Sequence, residues 1–326
     1  MGFKMGRAIV FVLGCLLVGG ELSGQEQDAI MLIRKEVKAS DELIKAISAK
    51  YQVVQTVSPK VVEESGNSAS CLSVRTTQLD GVWFGDRYST KAVSNSTMGD
   101  GSKDEDTDIF AFSGKKTYQN QNFKHGVILP VRVPDNFPNP RLAAAPRHLA
   151  ALGTLEQILN VEPAKAPWSS AIKSWKKFRY RYLGEEELGE LKCHKIELSR
   201  LDPQPPEKIL QQYVIWVAPK RNWQIAASQH ENLHPLALGY GSKSRVVRWK
   251  EVKKGIWIPS ESETINFGQN KAGERVETSR LKYELLSIEL KCDPKDKRFN
   301  DVEFLPSMEV QILDPINNTA KKLQIK

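Results

Sequence analysis

The sequence predicts an α+β protein built on a long antiparallel β-sheet, and three observations lead to that fold class. Residues 209–229 and 245–267 each hold two strand-like runs joined by a tight polar turn. From Lys177 onward, about eight such runs follow one another through short links, whereas parallel strands need crossovers of a dozen or more residues. Amphipathic helical patterns precede this region. A sheet of this kind has an apolar face to bury, so we expect the helices to cover it.

The first predicted element is an amphipathic helix over residues 28–51. Apolar residues recur there at offsets of three or four, with Lys and Glu on the opposite face. A second, shorter helix is predicted over residues 147–160, after a segment at 129–146 that five prolines interrupt. The apolar residues of the first helix are Ile33, Val37, Ile44, Ile47 and Tyr51.

Strands are predicted between the two helices. Residues 70–78 and 82–93 have the composition of strands, and Asp80-Gly81 between them predicts a turn. Residues 94–107 are polar and acidic and are predicted to form a mobile loop. Ser113-Gly114 predicts the turn of a further hairpin. The strands of that hairpin are expected at residues 108–112 and 116–122.

The C-terminal half is predicted to consist almost entirely of strands. Residues 178–183 and 191–198 predict a hairpin joined through residues 184–189. The hairpins at 209–229 and 245–267 follow, and the last strands are expected at 277–290 and 302–313. A propeller is disfavoured, because the sequence has no internal repeat of the necessary length.

The N-terminus has the pattern of a secretory signal. Lys4 and Arg7 precede an apolar run at residues 8–20, which is too short to cross a bilayer core, since that takes roughly 20 residues as a helix. Cleavage near Gly24 predicts a periplasmic or secreted protein comprising residues 25–326 as a single domain, after a signal at 1–24. Alternatively, the stretch ending at Cys15 resembles a lipobox, which predicts a lipid anchor on that cysteine. No later segment predicts a membrane span, so an integral membrane protein is not expected.

The composition is that of an ordinary globular protein, with 40% hydrophobic and 26% charged residues. The formal net charge is +8, but basic residues are mixed with acidic ones along the chain. We therefore predict a solvated surface, and export argues against a nucleic-acid partner. Cys71, Cys193 and Cys292 are an odd number, so at least one thiol is expected to be unpaired in the exported chain.

One stretch, His230-Glu231-Asn232-Leu233-His234, matches the HExxH pattern. On a helix, His230 and His234 would share a face and hold zinc, with Glu231 as the general base. However, a strand-like run leads into the motif and Pro235 follows it, which disfavours helical geometry at the preceding residue. A hairpin loop is therefore the prediction, and a secreted zinc hydrolase is the alternative.

The order of these features resembles the LolA-like and RseB-like lipoprotein-carrier superfamily. The resemblance covers most of residues 28–290. It depends on the export signal, the first helix, the proline-broken insertion and several short strand motifs. Those motifs are Gly81-Val82-Trp83-Phe84, Arg87-Tyr88, the hairpin at 113–118, Tyr182-Leu183-Gly184, the strands at 193–198 and 214–217, and Gly255-Ile256-Trp257-Ile258-Pro259.

The resemblance implies a half-open β-barrel formed by a curved antiparallel sheet, with its concave face covered by helices. Within the single domain, residues 25–130 would form the first helix and strands, 131–176 a proline-rich helical insertion, and 177–326 the antiparallel meander. A barrel that its own side chains do not fill encloses a cavity for an apolar ligand. The candidate cavity residues are Trp83, Phe84, Phe110, Phe112, Trp216 and Trp257.

The function predicted from this resemblance is non-catalytic binding of an apolar ligand or a lipoprotein acyl chain, in envelope lipoprotein sorting or sensing. No cofactor and no metal are predicted. Two alternatives stay open: the zinc hydrolase that would use His230 and His234, and an envelope scaffold or sensor whose sheet binds another protein. For the six aromatic residues, the competing interpretation is that their rings fill an ordinary core.

Overall fold

The computed structural model describes most of the chain. The described residues are 24–59, 72–85, 87–114, 116–122, 125–129, 139–145, 159, 178–202, 208–235, 239–299, 308–314 and 319–323. Apart from Gly24, the predicted signal lies outside these ranges. So does the predicted second helix, except for Leu159. None of the described helices combines the length and the apolar character needed to cross a membrane.

The described residues form one long helix, α1 (Gly24–Leu43), and fifteen strands. Short 3₁₀ helices occur at Pro140–Leu142, Pro219–Arg221 and Lys297–Phe299. The first six strands are β1 (Ala46–Val57), β2 (Leu72–Phe84), β3 (Arg87–Met98), β4 (Lys103–Phe112), β5 (Thr117–Gln121) and β6 (His125–Leu129). The other nine are β7 (Phe178–Leu188), β8 (Leu191–Leu201), β9 (Ile209–Ala218), β10 (Gln224–Asn232), β11 (Gly241–Lys253), β12 (Ile256–Gln269), β13 (Arg275–Glu289), β14 (Glu309–Asp314) and β15 (Thr319–Leu323).

All fifteen strands belong to one open, curved sheet in the order β15-β14-β6-β5-β4-β3-β2-β1-β13-β12-β11-β10-β9-β8-β7. The strands β1–β6 and β7–β13 form two antiparallel meanders, joined because β1 pairs with β13. The predicted antiparallel sheet is therefore confirmed. One pair among the described strands, β14 with β6, is parallel and was not expected from the meander pattern. A concave face covered as a whole by helices stays a prediction.

The first helix is shorter than predicted, because it ends at Leu43 and the chain continues as β1. Ile47 and Tyr51 lie on this strand, where burial alternates with every second residue through Ala49. A four-residue offset fits both the period of a helix and the period of a strand. The spacing of Ile47 and Tyr51 therefore does not distinguish a helix from a strand. Pairing with β2 on one side and β13 on the other satisfies the backbone of this segment as a strand.

The turn predicted at Asp80-Gly81 is wrong, since both residues lie inside β2. Gly81 pairs with Ala49 of β1 and Thr90 of β3, and the indole of Trp83 lies over it. Glycine is required here for the close approach of a ring. The chain reverses later, at Gly85, whose φ is 61°.

The loop predicted over residues 94–107 is also wrong, because this polar stretch forms most of a hairpin. β3 continues to Met98 and β4 begins at Lys103. The turn between them contains Gly101 at a φ of 83°, and the Ser102 amide donates to Asp100 Oδ1 at 2.8 Å. The next hairpin, β4–β5 around Ser113-Gly114, forms as predicted.

Two large apolar clusters, together with a small one around Cys193, hold the described residues together. In the first, Ile33 and Val37 of α1 pack with Ile215 and other buried residues of β8–β10. In the second, residues of β1–β4 pack with Ile258 of β12 and Leu285 of β13. The helix α1 thus covers the part of the sheet that β8–β10 form. The second cluster lies on β1–β4, β12 and β13.

Candidate functional site

The strand register places a gradient of polarity on one face of the sheet, which we call the cavity face. Cross-strand partners share a face, so each row of partners across β1–β4 can be followed directly. Near one end of the strands a row is apolar and aromatic: Ile47, Trp83, Tyr88 and Phe112. Six residues further along β1 the row is largely polar: Val53, Thr77, Ser94 and Asp106. The face therefore changes from aromatic to hydrophilic along its strands.

A cavity of about 850 Å³ lies on this face. Its lining is mixed. Tyr51, Val53, Leu281 and Tyr283 contribute apolar surface. Hydroxyl and amide groups are frequent in the rest, and three charged residues take part. The polar lining includes Gln55, Arg75, Thr77, Ser94, Asp106, Asp108, Asn232, Ser242, Ser262, Thr264, Asn266 and Thr278.

Residues 139–145, which we call the strap, lie against the cavity face. Ser228 Oγ on β10 donates to the Ala144 carbonyl at 2.6 Å, and Ser262 Oγ on β12 donates to the Ala143 carbonyl at 3.1 Å. Ala143 and Ala145 line the cavity. The strap is therefore attached to two strands through its own backbone, and it forms part of the cavity wall.

The strap is also attached to α1 through a buried ion pair. Arg141, which is 6% exposed, contacts Asp41 Oδ1 through Nη1 at 2.5 Å. Its Nη2 donates to Ser40 Oγ at 3.2 Å. Ser40 Oγ in turn donates to the Asn222 carbonyl in the turn between β9 and β10, at 2.6 Å. Helix, strap and sheet are thus joined in one hydrogen-bonded chain.

The charged residues of the cavity come from β2 and β4. Arg75 Nε donates to Ser96 Oγ at 2.9 Å, while Asn122 Nδ2 donates to Asp106 Oδ1 at 2.5 Å. Burial raises the pKa of Asp108, the negative charge of Asp106 raises it further, and Arg75 opposes both effects. Two carboxylates therefore compete for one cation at this end of the cavity.

The raised pKa of Asp108 predicts how stability depends on pH. A carboxyl group whose folded pKa exceeds its ordinary value of 3.8 holds its proton more tightly when folded, so ionisation destabilises the fold. This destabilisation is absent below the ordinary pKa, develops as pH rises through the folded pKa, and is complete above it. We therefore expect Asp108→Asn to be more stable than the parent protein at pH 7, with a difference that shrinks toward pH 3.5. Urea unfolding at the two pH values measures this, and an equal difference at both would contradict it.

The HExxH stretch takes a strand geometry, not the helical geometry that a zinc protease needs. His230, Glu231 and Asn232 complete β10, and Leu233 to Pro235 form the following turn. The predicted loop is therefore correct only for the end of the motif. His230 stacks on Tyr213 with ring centroids 4.6 Å apart, while Glu231 pairs with Arg275 at 3.2 Å. Among the described residues, no group of three or more His, Cys, Asp or Glu side chains is arranged to hold a metal.

Three of the six aromatic residues predicted to line a cavity come together. Trp83, Phe110 and Phe112 are buried in the second apolar cluster, at the aromatic end of the cavity face. The other three contact cations away from that cluster. Arg87 Cζ lies 4.9 Å from the ring centroid of Phe84, and Lys195 Nζ lies 5.1 Å from that of Trp216. Arg221 Cζ lies 4.1 Å from the ring centroid of Trp257. None of the six belongs to the lining of the 850 Å³ cavity.

Sequence reasoning missed the polar lining, because it sought the site among aromatic residues. Ser94, Asp106 and Thr77 lie in stretches whose hydrophilic composition is typical of loops or solvated strands. The available signal was alternation: in residues 105–112 the positions 106, 108, 110 and 112 share one face, which runs from acidic to aromatic. That alternation indicates a strand with a two-part inner face.

No protein-family model and no curated protein matches this chain. Solved structures with a coarse likeness to it include the following three. A DUF1329 family protein from Desulfovibrio piger aligns over 83% of this chain and 97% of its own, with 9% identity and a TM-score of 0.42. The lipoprotein LppX of Mycobacterium tuberculosis aligns over 85% and 98%, with 9% identity and a TM-score of 0.24. A β-barrel-like DUF1849 protein from Brucella abortus aligns over 76% and 98%, with 12% identity and a TM-score of 0.16. At these scores the likeness carries no inference about ligand or mechanism.

Proposed function

We propose that this protein is an exported, non-catalytic binding protein that shelters the apolar part of a lipid or a lipoprotein acyl chain in its half-open barrel. Its place would be the bacterial envelope, in lipoprotein sorting or sensing. The cavity on the sheet is the observation that carries the proposal. Its volume of about 850 Å³ lies in the roughly 300–1,000 Å³ range of small-molecule sites.

The position of the cavity supports an apolar guest. Its lining includes Tyr51 and Tyr283, whose ring centroids are 4.7 Å apart, and both belong to the apolar cluster at the aromatic end of the cavity face. Val53 and Leu281 extend the apolar wall. A hydrocarbon chain placed against these side chains would be removed from water. Each buried methylene would contribute about 0.8 kcal/mol to the free energy of binding.

Filling the cavity tests the proposal. We expect Leu281→Trp, which adds a ring to the cavity wall, to lower the amount of copurifying acyl species several-fold. Native mass spectrometry and organic extraction of the purified protein measure this. The matched control is Leu286→Trp on the same strand, because Leu286 is 52% exposed and outside the cavity lining.

Three outcomes have defined meanings. Loss of bound acyl species in Leu281→Trp, with retention in Leu286→Trp, supports the proposal. Equal occupancy in both variants shows that the ligand binds elsewhere. Absence of any acyl species from the parent protein, together with failure to bind added fatty acyl compounds, overturns the proposal.

A further inference from the structure

We propose that the polar end of the cavity selects amphipathic ligands whose head group is cationic, such as a protonated amine. This inference rests on the proposed binding function and adds the chemistry of the head group to it. The apolar chain would lie toward Tyr51 and Tyr283, and the head would lie near Asp106 and Asp108.

The charge of the cavity is opposite to that of the protein. The whole chain carries a formal net charge of +8. In contrast, the charged residues that line the cavity are Arg75, Asp106 and Asp108, one cation and two anions, which sum to −1. A half-buried cavity focuses the field of its own charges, because the surrounding medium is less polar than water. The cavity therefore attracts a cation, although the protein as a whole favours anions.

The two carboxylates are incompletely compensated. Asp106 accepts a hydrogen bond from the neutral amide of Asn122 at 2.5 Å. The Nε of Arg75 is directed to Ser96 Oγ, at 2.9 Å. Asp108 is held in a partly desolvated position next to the charge of Asp106. An ammonium group placed between the carboxylates would neutralise the excess charge and would supply hydrogen-bond donors to both.

A second, independent feature of the cavity indicates that a polar group of a ligand belongs there. Tyr283 lines the cavity and is only 8% exposed, yet its hydroxyl makes no hydrogen bond among the described residues. Buried polar groups are nearly always paired in folded proteins. The register places Tyr283 in the same cross-strand row as Thr77, Ser94 and Asp106, so this hydroxyl belongs to the row that leads to the acidic end.

Three ligands that share a ten-carbon chain and differ in head group show how the head group alone changes the binding affinity. Isothermal titration of the full-length protein at pH 7 would use decylammonium, decanol and decanoate below their micellar concentrations. We expect decylammonium to bind about tenfold or more tightly than decanoate, with decanol between them. The expected order follows from the sign of the cavity charge.

Matched variants locate the selectivity. Asp106→Asn combined with Asp108→Asn is expected to remove the preference for decylammonium and to leave the affinity for decanol within about twofold. Glu105→Gln is the control, since Glu105 directly precedes Asp106 on β4, is exposed and lies outside the cavity lining. It removes one negative charge from the same strand and is expected to keep the preference.

The outcomes distinguish the two proposals. If all three ligands bind with equal affinity, or decanoate binds best, the head-group inference is overturned and the binding function stands. If none of the three binds, both fail. If Glu105→Gln lowers the preference as much as the double variant does, the selectivity arises from overall charge and the assignment to Asp106 and Asp108 is wrong.

Discussion

We expect Arg141→Met to lower the free energy of unfolding by about 3 kcal/mol, at the lower end of the range for breaking a buried ion pair. Arg141 and Asp41 are both almost fully buried, with side chains 7% and 10% exposed. Removing the guanidinium takes the Arg141 charge away from the Asp41 carboxylate, which lies in the interior. The strap would also lose its attachment to α1. Urea unfolding followed by circular dichroism measures the change.

A double variant separates the effect of the lost ion pair from the effect of lost packing. Asp41→Leu combined with Arg141→Met removes both charges, and we expect this double variant to recover much of the stability that the single variant loses. Arg298→Met is the surface control. Arg298 pairs with Asp296 at 2.8 Å but is 51% exposed, so its loss is expected to change stability by less than about 1 kcal/mol. Equal effects of Arg141→Met and Arg298→Met would contradict the role assigned to the strap.

Gly81→Val is expected to have the second-largest effect, toward the upper end of the roughly 1–3 kcal/mol typical of overpacked cores. A Cβ atom on Gly81 would lie 2.9 Å from two ring carbons of Trp83 and closer still to a third. Trp83 is 4% exposed and stacks on Tyr51 with ring centroids 6.3 Å apart, so its ring has little room to move. The valine would therefore displace the Trp83 ring from its packed position at the aromatic end of the cavity face.

A double-variant cycle tests whether the ring is the obstacle. Gly81→Val in a Trp83→Ala background is expected to cost much less than in the parent protein, because the overlapping ring is gone. Gln78→Val is the control on the same strand. Gln78 is exposed, so this change is expected to stay within about 0.5 kcal/mol. An additive cycle would show that glycine is needed at position 81 for another reason.

The stability of the strap and the chemistry of the cavity are connected. Ala143 and Ala145 line the cavity, and Arg141 fixes the segment that presents them. Loosening the strap would therefore enlarge or open the cavity without changing any residue of β1–β4. An ion pair outside the cavity lining is therefore expected to influence the shape of the cavity.

The hairpins of the C-terminal half were predictable, because each depends on neighbours in sequence. The β9–β10 and β11–β12 pairs lie where alternating or apolar runs flank short polar turns, such as Lys254-Gly255. The errors fell in the first half of the chain. Ile47 and Tyr51 fit two periods, Gly81 has the composition of a turn, and residues 94–107 have the composition of a loop. For Ile47 and Tyr51, pairing of β1 with β2 and with the distant β13 decided the outcome. For Gly81, pairing inside the sheet with β1 and β3 decided it. Residues 94–107 form a local hairpin whose polar composition is that of a loop.

The residues that line the cavity were not predicted from the sequence. A cavity on an antiparallel sheet was expected, and Trp83, Phe110 and Phe112 do lie on the cavity face. They pack with one another at one end of it, because buried rings gain more from mutual contact than from lining a space. Ten of the 22 residues that line the cavity are Ser, Thr, Asn or Asp, which no apolar pattern selects.

The sequence by itself determined the antiparallel sheet and most of its strands, because alternation and turn chemistry act over a few residues. The tertiary structure alone decided that β1 pairs with β13, that β14 joins β6 in parallel, and that the strap is attached to α1 by Arg141 and Asp41. It also decided that the polar strand residues face a cavity and not water. These features depend on contacts between distant segments, and the free energy of such contacts is set by burial, which a local pattern of residues does not contain.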